Sequence, residues 1–172
     1  MKQRVLMVDL DPQGNATMAS GIDKHGVERS VYDVLVHCAP IANVTRTTES
    51  LFDVAPANGD LTAAEVELLA FDDKEQRLRT ALGEIVDRYD YVLVDCPPSL
   101  NMLTINALVA ADGVIIAMQC EYFALEGLAA LVRTIEGVAD TANPQLQIDG
   151  ILRTMYDPRN SLTTDVSAQL RA

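Results

Sequence analysis

The sequence Tyr91-Val-Leu-Val-Asp-Cys-Pro-Pro-Ser99 predicts a buried strand that ends in an acidic residue. Its first four residues show no alternation of apolar and polar side chains, which is typical of a strand covered on both faces of a parallel sheet. Asp95 then falls at the carboxyl end of the strand, where open α/β sheets bind their ligands. Because Pro97 and Pro98 favour an extended backbone before them, Asp95 stays outside any following helix.

The start of the chain repeats this arrangement of an apolar strand followed by acids. Arg4-Val-Leu-Met-Val8 leads into Asp9-Leu-Asp11, and Pro12-Gln-Gly-Asn15 then supplies turn-forming residues. The two acids face one side if the strand continues through them, and they diverge if it ends between them. Since the carboxyl ends of parallel strands meet at one edge, we expect this pair to converge with Asp95. Mg²⁺ usually takes one or two carboxylates with waters and substrate phosphates, so this edge is a predicted nucleotide-phosphate and Mg²⁺ site.

Composition limits the classes of protein to which the chain can belong. Its 172 residues, of which 49% are hydrophobic and 22% charged, suit one soluble domain over 1–172. No run approaches the roughly 18 apolar residues of a membrane span, and no signal peptide is evident, so we expect a cytoplasmic protein without membrane contact. Three widely spaced cysteines indicate neither a disulfide framework nor a zinc site. A net charge of −12 argues against a globally basic nucleic-acid surface, although a local patch is compatible with it.

Hydrophobic periodicity predicts strands that alternate with helices. We expect strands at 5–8, 51–55, 91–95, 113–118 and 148–154, and helices at 30–37, 60–70, 78–89, 99–111, 125–138 and 161–170. Ser30 and Ser99 are the expected N-caps of two of these helices. A loop is expected over 12–17, in which Gly14 and Asn15 can adopt positive φ. This order predicts an α/β fold with a doubly wound, mostly parallel sheet.

Two motifs resemble the ParA/Soj family of deviant-Walker partition ATPases. They are Val8-Asp-Leu-Asp-Pro-Gln-Gly-Asn-Ala-Thr17 and Val94-Asp-Cys-Pro-Pro-Ser-Leu100. Thr104-Ile-Asn-Ala-Leu108 and Gln119-Cys-Glu-Tyr-Phe-Ala-Leu-Glu-Gly127 are similar to the same family, in the same order along nearly the whole chain. The resemblance implies a P-loop NTPase-like fold that is incomplete at both ends of this chain.

The resemblance also assigns roles to individual residues. It implies that Asp11 positions the water that attacks the γ-phosphate of ATP and that Asp9 supports the same site. Asp95 would be the Walker B acid, which acts on Mg²⁺ through water, with Asp11 beside it. The nucleotide switch would comprise six residues of two loops: Pro12, Gly14, Asn15, Pro97, Pro98 and Ser99.

Family membership would imply several cofactors and partners. ATP and Mg²⁺ are the implied cofactors, and two copies of the protein would form a homodimer around two ATP molecules. Complete family members bind DNA nonspecifically, associate with the nucleoid, and are stimulated by a ParB-type centromere-binding protein. The implied process is chromosome or plasmid partitioning, driven by ATP hydrolysis that switches dimerisation and DNA binding.

The sequence departs from the family in its phosphate-binding loop, Lys-Gly-Gly-x-Gly-Lys-Thr. In the family this loop precedes the Asp-x-Asp strand by about one βα unit, whereas only Met1 to Arg4 precede that strand here. The family segment Pro-Arg-Asn-Val-Arg is also missing beyond Ala172. Phosphates are held by loop N–H groups and a Lys, so we expect this chain alone to bind ATP weakly or not at all. An internal fragment, a mis-started reading frame and a degraded copy are all compatible with this departure.

Two alternative functions remain open at this stage. The first is a catalytically inactive fragment that acts only as an interaction remnant. The second is a receiver-type phosphoacceptor domain, which the long spacing from Asp11 to Asp95 disfavours, as does the lack of a Lys after the last predicted strand. A Rossmann dehydrogenase would need Gly-x-Gly-x-x-Gly after a strand, and the sequence lacks it.

The family fold also predicts a gap in the sheet. In related P-loop folds the strand that feeds the phosphate loop lies between the strands that correspond here to 91–95 and 114–118. Without it, we expect a slot of about 9–10 Å between these two strands, twice the spacing of neighbouring strands. Unpaired edges of this kind favour association with another chain.

Overall fold

The computed structural model describes residues 3–120, 124–157 and 159, and it divides the chain into two compact units. The first unit is Met1–Ala110 and the second is Ala111–Ala172. The helix expected at 161–170 lies outside the described residues. That the whole chain forms a single domain stays a prediction.

The first unit contains four strands and five α-helices. In chain order these are β1 (Val5–Asp9), α1 (Asn15–Ala19), α2 (Val31–His37), β2 (Arg46–Thr47), β3 (Asp53–Ala55), α3 (Leu61–Glu67), α4 (Arg77–Gly83), β4 (Tyr91–Asp95) and α5 (Met102–Ala110). Short 3₁₀ turns occupy Lys24–Gly26, Ile41–Asn43, Leu68–Ala70 and Val86–Arg88. The sheet order is β2-β3-β1-β4, with β1 parallel to both β3 and β4 and only β2 antiparallel. The predicted α/β fold with a mostly parallel sheet is therefore confirmed.

Helices α2 to α5 cover one face of this sheet. Leu6 and Val8 of β1 are fully buried in the same core cluster as apolar residues of these helices, and Val92 and Val94 of β4 pack against that cluster. On the opposite face Tyr91 and Leu93 remain 58% and 52% exposed. The prediction that 91–95 is covered on both faces is thus wrong for the described structure. The physical reason is that, among the described residues, helices α2–α5 cover the face of β4 that carries Val92 and Val94 and leave the side chains of the other face exposed.

Side-chain oxygens cap the N-termini of α2 and α5. At α2 the predicted cap is confirmed, because Ser30 Oγ accepts a hydrogen bond from Tyr32 N (3.2 Å) and Asp33 Oδ2 accepts one from Ser30 N (2.9 Å). At α5 the predicted cap is wrong. Asn101, not Ser99, caps this helix through Thr104 N–H···Oδ1 (3.1 Å), because Pro98 and Ser99 form a bend and the first helical turn begins only at Met102.

Other predicted boundaries also need correction. The helix expected at 78–89 ends at Gly83, and Ile85 (φ −131°) separates α4 from a 3₁₀ turn. The helix expected at 60–70 is the α-helix α3 followed by the 3₁₀ turn Leu68–Ala70. Asn15 is not in a positive-φ loop: it begins α1, whereas Gly14 before it has φ 61°.

The second unit contains β5 (Gly113–Gln119), α6 (Ala124–Thr141) and β6 (Gln147–Thr154). β5 and β6 pair in parallel, with a register irregularity between Val114 and Ile115. Ile116 and Met118 are buried, as are Ile135 and Val138 of α6. The predicted strands and the long helix of this region are therefore observed.

β4 and β5 belong to separate sheets in the part of the chain that the structure describes. A ladder between 92–95 and 114–117, which would rule out the predicted slot, is not found among those residues. The width of the slot stays a prediction. None of the described helices is long and apolar enough to cross a membrane.

Candidate functional site

The carboxyl ends of β1 and β4 lie side by side. Asp9 and Asp95 are Cα partners in the parallel register, and Leu10 N donates a hydrogen bond of 2.8 Å to Asp95 O just beyond the pair. Parallel pairing thus brings the acid that ends β1 next to the acid that ends β4. Asp11 follows two residues later in the loop that leaves the same edge.

Asp9 is fully buried and its carboxylate is occupied by the protein itself. Oδ1 accepts a hydrogen bond from Asp11 N (3.1 Å), and Oδ2 accepts two from Thr17, one from N (2.8 Å) and one from Oγ1 (2.6 Å). Three donors on one buried carboxylate anchor the loop to the start of α1. β1 ends at Asp9, so Asp11 lies outside the strand, which is the case in which the sequence allows the two side chains to diverge.

Thr17 extends this anchor to a second loop. Its Oγ1 donates to Asp9 and accepts a hydrogen bond of 2.9 Å from Ala57 N, which lies between β3 and α3. Thr17 is fully buried and was not among the predicted site residues. The sequence indicates this hydrogen-bonding role only by the position of Thr17, which follows Asp9 after one turn-rich loop.

Asp11 lies in a tight turn and is only partly buried. Its Oδ1 accepts a hydrogen bond from Gln13 N (2.9 Å), and its carbonyl accepts one from Gly14 N (2.8 Å). Gly14 requires a left-handed conformation, and Lys24 Nζ donates to Gln13 O across the turn. Within the described chain, Oδ2 of Asp11 has no hydrogen-bond partner, so one oxygen of this fixed carboxylate is available to a ligand.

The acids of this edge influence one another electrostatically. Partial burial raises the pKa of Asp95, and the negative charges of Asp9 and Asp11 raise it further. The sulfur of Cys96 is desolvated although the residue as a whole is exposed, and this burial, with the Asp95 charge, raises its pKa to about 12. The edge therefore favours a proton or a cation beside Asp95, and Cys96 stays a neutral thiol near pH 7.

A cleft of about 630 Å³ opens beside Asp95 within the first unit. Its walls come from β1, β4, α1 with the following Ser20, and Phe52 just before β3, and they are mostly apolar: Met7, Asn15, Ala16, Ala19, Ser20, Phe52, Leu93, Val94 and Asp95. This volume is within the range of small-molecule sites. The cleft thus adjoins the acidic edge without including Asp11.

The second predicted switch segment has its own contacts. Pro97 is buried, whereas Pro98 and Ser99 are exposed. Ser99 O accepts a hydrogen bond from Thr104 Oγ1 (2.7 Å), and Ser99 Oγ accepts one from Asn101 Nδ2 (3.1 Å). The same Nδ2 donates to Glu65 Oε1 of α3 (2.7 Å). This segment is therefore connected to α5 and α3.

The donor set suits magnesium rather than a metal held by protein ligands alone. Among the described residues, no group of three or more His, Cys, Asp or Glu side chains is arranged to hold a metal ion. The available oxygens are those of Asp11 and Asp95, since Asp9 is occupied. Two carboxylates completed by waters and substrate phosphates are a usual Mg²⁺ environment.

A mostly parallel sheet with acids at the ends of neighbouring strands is compatible with the P-loop NTPase-like class, and comparisons with known proteins identify that class for this chain. The AAA domain family AAA_31 matches residues 1–148. The chain is 49% identical over 173 residues to the chromosome partitioning protein ParA of Caulobacter vibrioides, covering 99% of this chain and 65% of the relative. It is 48% identical over 170 residues to the sporulation initiation inhibitor protein Soj of Bacillus subtilis, covering 98% and 67%. The chain belongs to the ParA/Soj family.

A solved structure supports the same fold. Cobyrinic acid a,c-diamide synthase from Mycobacterium smegmatis, solved with bound ADP and magnesium, superposes with a TM-score of 0.93 at 40% identity, over 98% of this chain and 69% of that one. The chain spans about 65% of the length of the curated relatives first matched. With the family shown, the receiver-domain interpretation is no longer supported.

Proposed function

We propose that this chain supplies the hydrolytic and magnesium-binding edge of a ParA-type partition ATPase. The observation that carries the proposal is the difference between the three acids at the ends of β1 and β4. Asp9 is fully hydrogen-bonded inside the protein, whereas Asp11 keeps one free oxygen and Asp95 has a raised pKa. Two carboxylates thus remain for a cation and a water.

In this proposal Asp11 orients the water that attacks the γ-phosphate. Gln13 N–H fixes the carboxylate through Oδ1, and Oδ2 is available to accept a hydrogen bond from that water. Asp9 acts indirectly, because it holds the backbone N–H of Asp11 and both donors of Thr17. Asp9 is thus proposed as a positioning residue that sets where Asp11 lies.

Asp95 is the proposed magnesium residue, through water, with Asp11 beside it. When bound, Mg²⁺ supplies positive charge that offsets the charge of the phosphates during transfer. A cation would also offset the repulsion among the acids that contributes to the raised pKa of Asp95. The proposed γ-phosphate switch comprises Pro12, Gly14, Asn15, Pro97, Pro98 and Ser99.

The wider proposal concerns assembly and process. By analogy with the ParA and Soj relatives, hydrolysis would switch an ATP-bound homodimer that binds DNA nonspecifically and responds to a ParB-type partner. The proposed location is the cytoplasm, on the nucleoid. Chromosome and plasmid partitioning are both compatible with the family.

The test compares this chain with a version extended by an N-terminal family segment that contains Lys-Gly-Gly-x-Gly-Lys-Thr. We expect Mg²⁺-dependent ATP hydrolysis from the extended protein only. Asp11→Ala in the extended protein should keep ATP binding by calorimetry and lose about 10²-fold or more in turnover, because water positioning is removed while the phosphate donors stay.

Glu49→Ala is the matched control, since Glu49 is exposed and has no hydrogen bond or ion pair among the described contacts. It should leave both binding and turnover unchanged. Normal turnover by Asp11→Ala would assign Asp11 a structural role only.

A second candidate is a catalytically inactive interaction module. The specific observation in its favour is that Val66 and Leu69 are 72% and 60% exposed, because a partner can cover such apolar side chains without any catalysis. Submicromolar ATP binding by this chain in calorimetry would contradict this candidate. Absence of ATP binding and of hydrolysis even in the extended protein would favour it over the ATPase.

A further inference from the structure

Helix α3 carries an apolar stripe on the side that does not face the core. Leu61, Ala64 and Leu68 are buried at helical spacing, which fixes the inner side of α3 and the following 3₁₀ turn. The outer side carries further apolar residues beside the exposed polar residues Thr62 and Glu67. It forms what we call the α3 stripe: Ala63, Val66, Leu69 and Ala70.

The large side chains of the α3 stripe are strongly exposed. Val66 is 72% exposed and Leu69 is 60% exposed. Isolated exposed hydrophobic residues are ordinary, but apolar residues that recur along one outward helix face form a continuous surface for a partner. An inward apolar face is sufficient to hold α3 on the core, so the outer one is not needed for folding.

The surroundings of the α3 stripe are acidic. Residues 60–75 contain six acids and one base. In the described part of the chain Arg77 forms an ion pair with Asp73, whereas Asp60, Glu65, Glu67 and Asp72 have no ion-pair partner. Such a rim repels anionic surfaces, including lipid headgroups, and attracts a cationic segment.

We propose that the α3 stripe is a docking surface for a cationic amphipathic segment of another protein. Large apolar side chains of the partner would cover Val66 and Leu69, and its Lys or Arg residues would pair with the acidic rim. Charge complementarity decides between this occupant and a membrane. A second copy of this chain is disfavoured by the same charge, because two acidic rims would repel each other.

Two hydrogen-bonded connections lead from α3 to the proposed ATPase site, and this part of the inference rests on the proposed function. Glu65 Oε1 accepts from Asn101 Nδ2, which also donates to Ser99 in the proposed switch. At the N-terminal side of α3, Ala57 N donates to Thr17 Oγ1, which donates to Asp9. A partner on the α3 stripe is therefore placed to alter the switch segment.

The docking test uses this chain without nucleotide, so it is independent of the proposed ATPase function. The probe is a fluorescein-labelled peptide (Leu-Lys-Lys-Leu)₃, titrated by fluorescence anisotropy against the wild-type chain. A (Ser-Lys-Lys-Ser)₃ peptide has the same charge without apolar side chains. We expect the leucine peptide to bind at least about tenfold more tightly than the serine peptide, a difference of about 1.4 kcal/mol.

Variants locate the binding. The double variant Val66→Ser, Leu69→Ser should weaken binding of the leucine peptide at least about tenfold, whereas Leu51→Ser, at a 69% exposed leucine on another loop, should change it less than about twofold. Equal binding of both peptides, or equal effects of both variants, would overturn the proposal. Binding to phosphatidylglycerol vesicles, or dimerisation, that needs Val66 and Leu69 would assign the stripe to that occupant instead.

The connection to the switch is tested by hydrogen exchange over residues 96–101 with and without saturating leucine peptide. We expect the peptide to change exchange there in the wild type and in Glu67→Ala, but not in Glu65→Ala. Both variants remove one rim charge, and only the second removes the contact with Asn101. Unchanged exchange in the wild type would overturn the coupling while leaving the docking result and the ATPase proposal standing.

Discussion

At the scale of single residues, the ionisation of Asp95 links stability to pH. Its pKa is raised above 3.8 because the carboxyl is partly buried and lies near the charges of Asp9 and Asp11. Between the unfolded and folded pKa values, the native state binds more protons than the unfolded state. The free energy of unfolding therefore falls as pH rises through this window.

Asp95→Asn removes this ionisation and should raise the melting temperature near pH 7. The gain should shrink as the pH falls through the raised pKa of Asp95 and vanish below its unfolded value, because the parent then also carries the proton in both states. Thermal melts of both proteins from about pH 4 to about pH 7.5 measure the difference, with Glu49→Gln as an exposed control. If the melting temperatures of the two proteins differ by the same amount at every pH, the ionisation of Asp95 does not contribute to the pH dependence of stability.

Thr17 is the other residue with a distinct prediction. Thr17→Val keeps the shape of the side chain but leaves Ala57 N without its acceptor and Asp9 Oδ2 with one donor fewer. A buried unsatisfied group costs about 1–3 kcal/mol, so urea denaturation should show a loss of that size. Thr17→Ser keeps the hydroxyl and should cost about 0.8 kcal/mol for the missing methyl. No loss in Thr17→Val together with a loss in Thr17→Ser would mean that packing, not hydrogen bonding, is the role of Thr17.

Sequence reasoning expected Asp9 and Asp95 at one edge of the sheet, where the structure has them, but it could not orient their side chains. Parallel pairing alone brings Asp9 and Asp95 together, and that is a property of strand order. The side-chain direction of Asp9 depends on where β1 ends, and its bonding depends on Thr17 and Ala57, whose proximity is tertiary. Asn15 shows the same limit, because Gly14 alone makes the turn and allows Asn15 to begin a helix.

At the scale of elements, the start of α2 has a testable energetic role. Ser30 accepts from Tyr32 N and completes a capping box with Asp33, and its hydroxyl also donates to Asn58 Oδ1 (3.0 Å). Ser30→Ala should lower the free energy of unfolding by about 1 kcal/mol or somewhat more, since the cap and a contact to the β3–α3 loop are lost together. Ser50→Ala, at an exposed position, is the control in chemical denaturation. No loss in Ser30→Ala would show that the side-chain cap is dispensable.

Local signals explain which elements were predicted well. α2 carries its capping box in four consecutive residues, so the sequence reveals it. The two-residue β2 has no periodicity to detect and was missed. The start of α4 depends on buried Asn106 of α5, which accepts from Leu78 N (3.2 Å) and donates to Lys74 O (2.7 Å), and no local pattern encodes such a contact.

At the scale of the whole molecule, an apolar run does not reveal how many faces of a strand are covered. Tyr91 to Val94 is apolar throughout, yet the described structure buries only the side that carries Val92 and Val94. The strands of the second unit also leave apolar side chains exposed, namely Ile115 of β5 and Leu152 of the paired β6. Which side chains of a strand are buried therefore depends on the helices that pack on the sheet. A local sequence pattern does not contain this information.

The exposed side of β4 predicts association between copies of this chain. Leu93 and Tyr91 lie on a strand that ends its sheet, and an apolar end strand is a template for pairing. We expect sedimentation velocity to show dimers or larger species that increase with concentration.

Leu93→Lys should shift the distribution toward monomer, because a charge on an end strand opposes pairing. Leu51→Lys places the same charge on a loop residue that is also exposed (69%, against 52% for Leu93) and should leave association unchanged. A wild-type chain that stays monomeric at all concentrations would contradict this expectation, and equal effects of the two variants would trace association to net charge instead of β4.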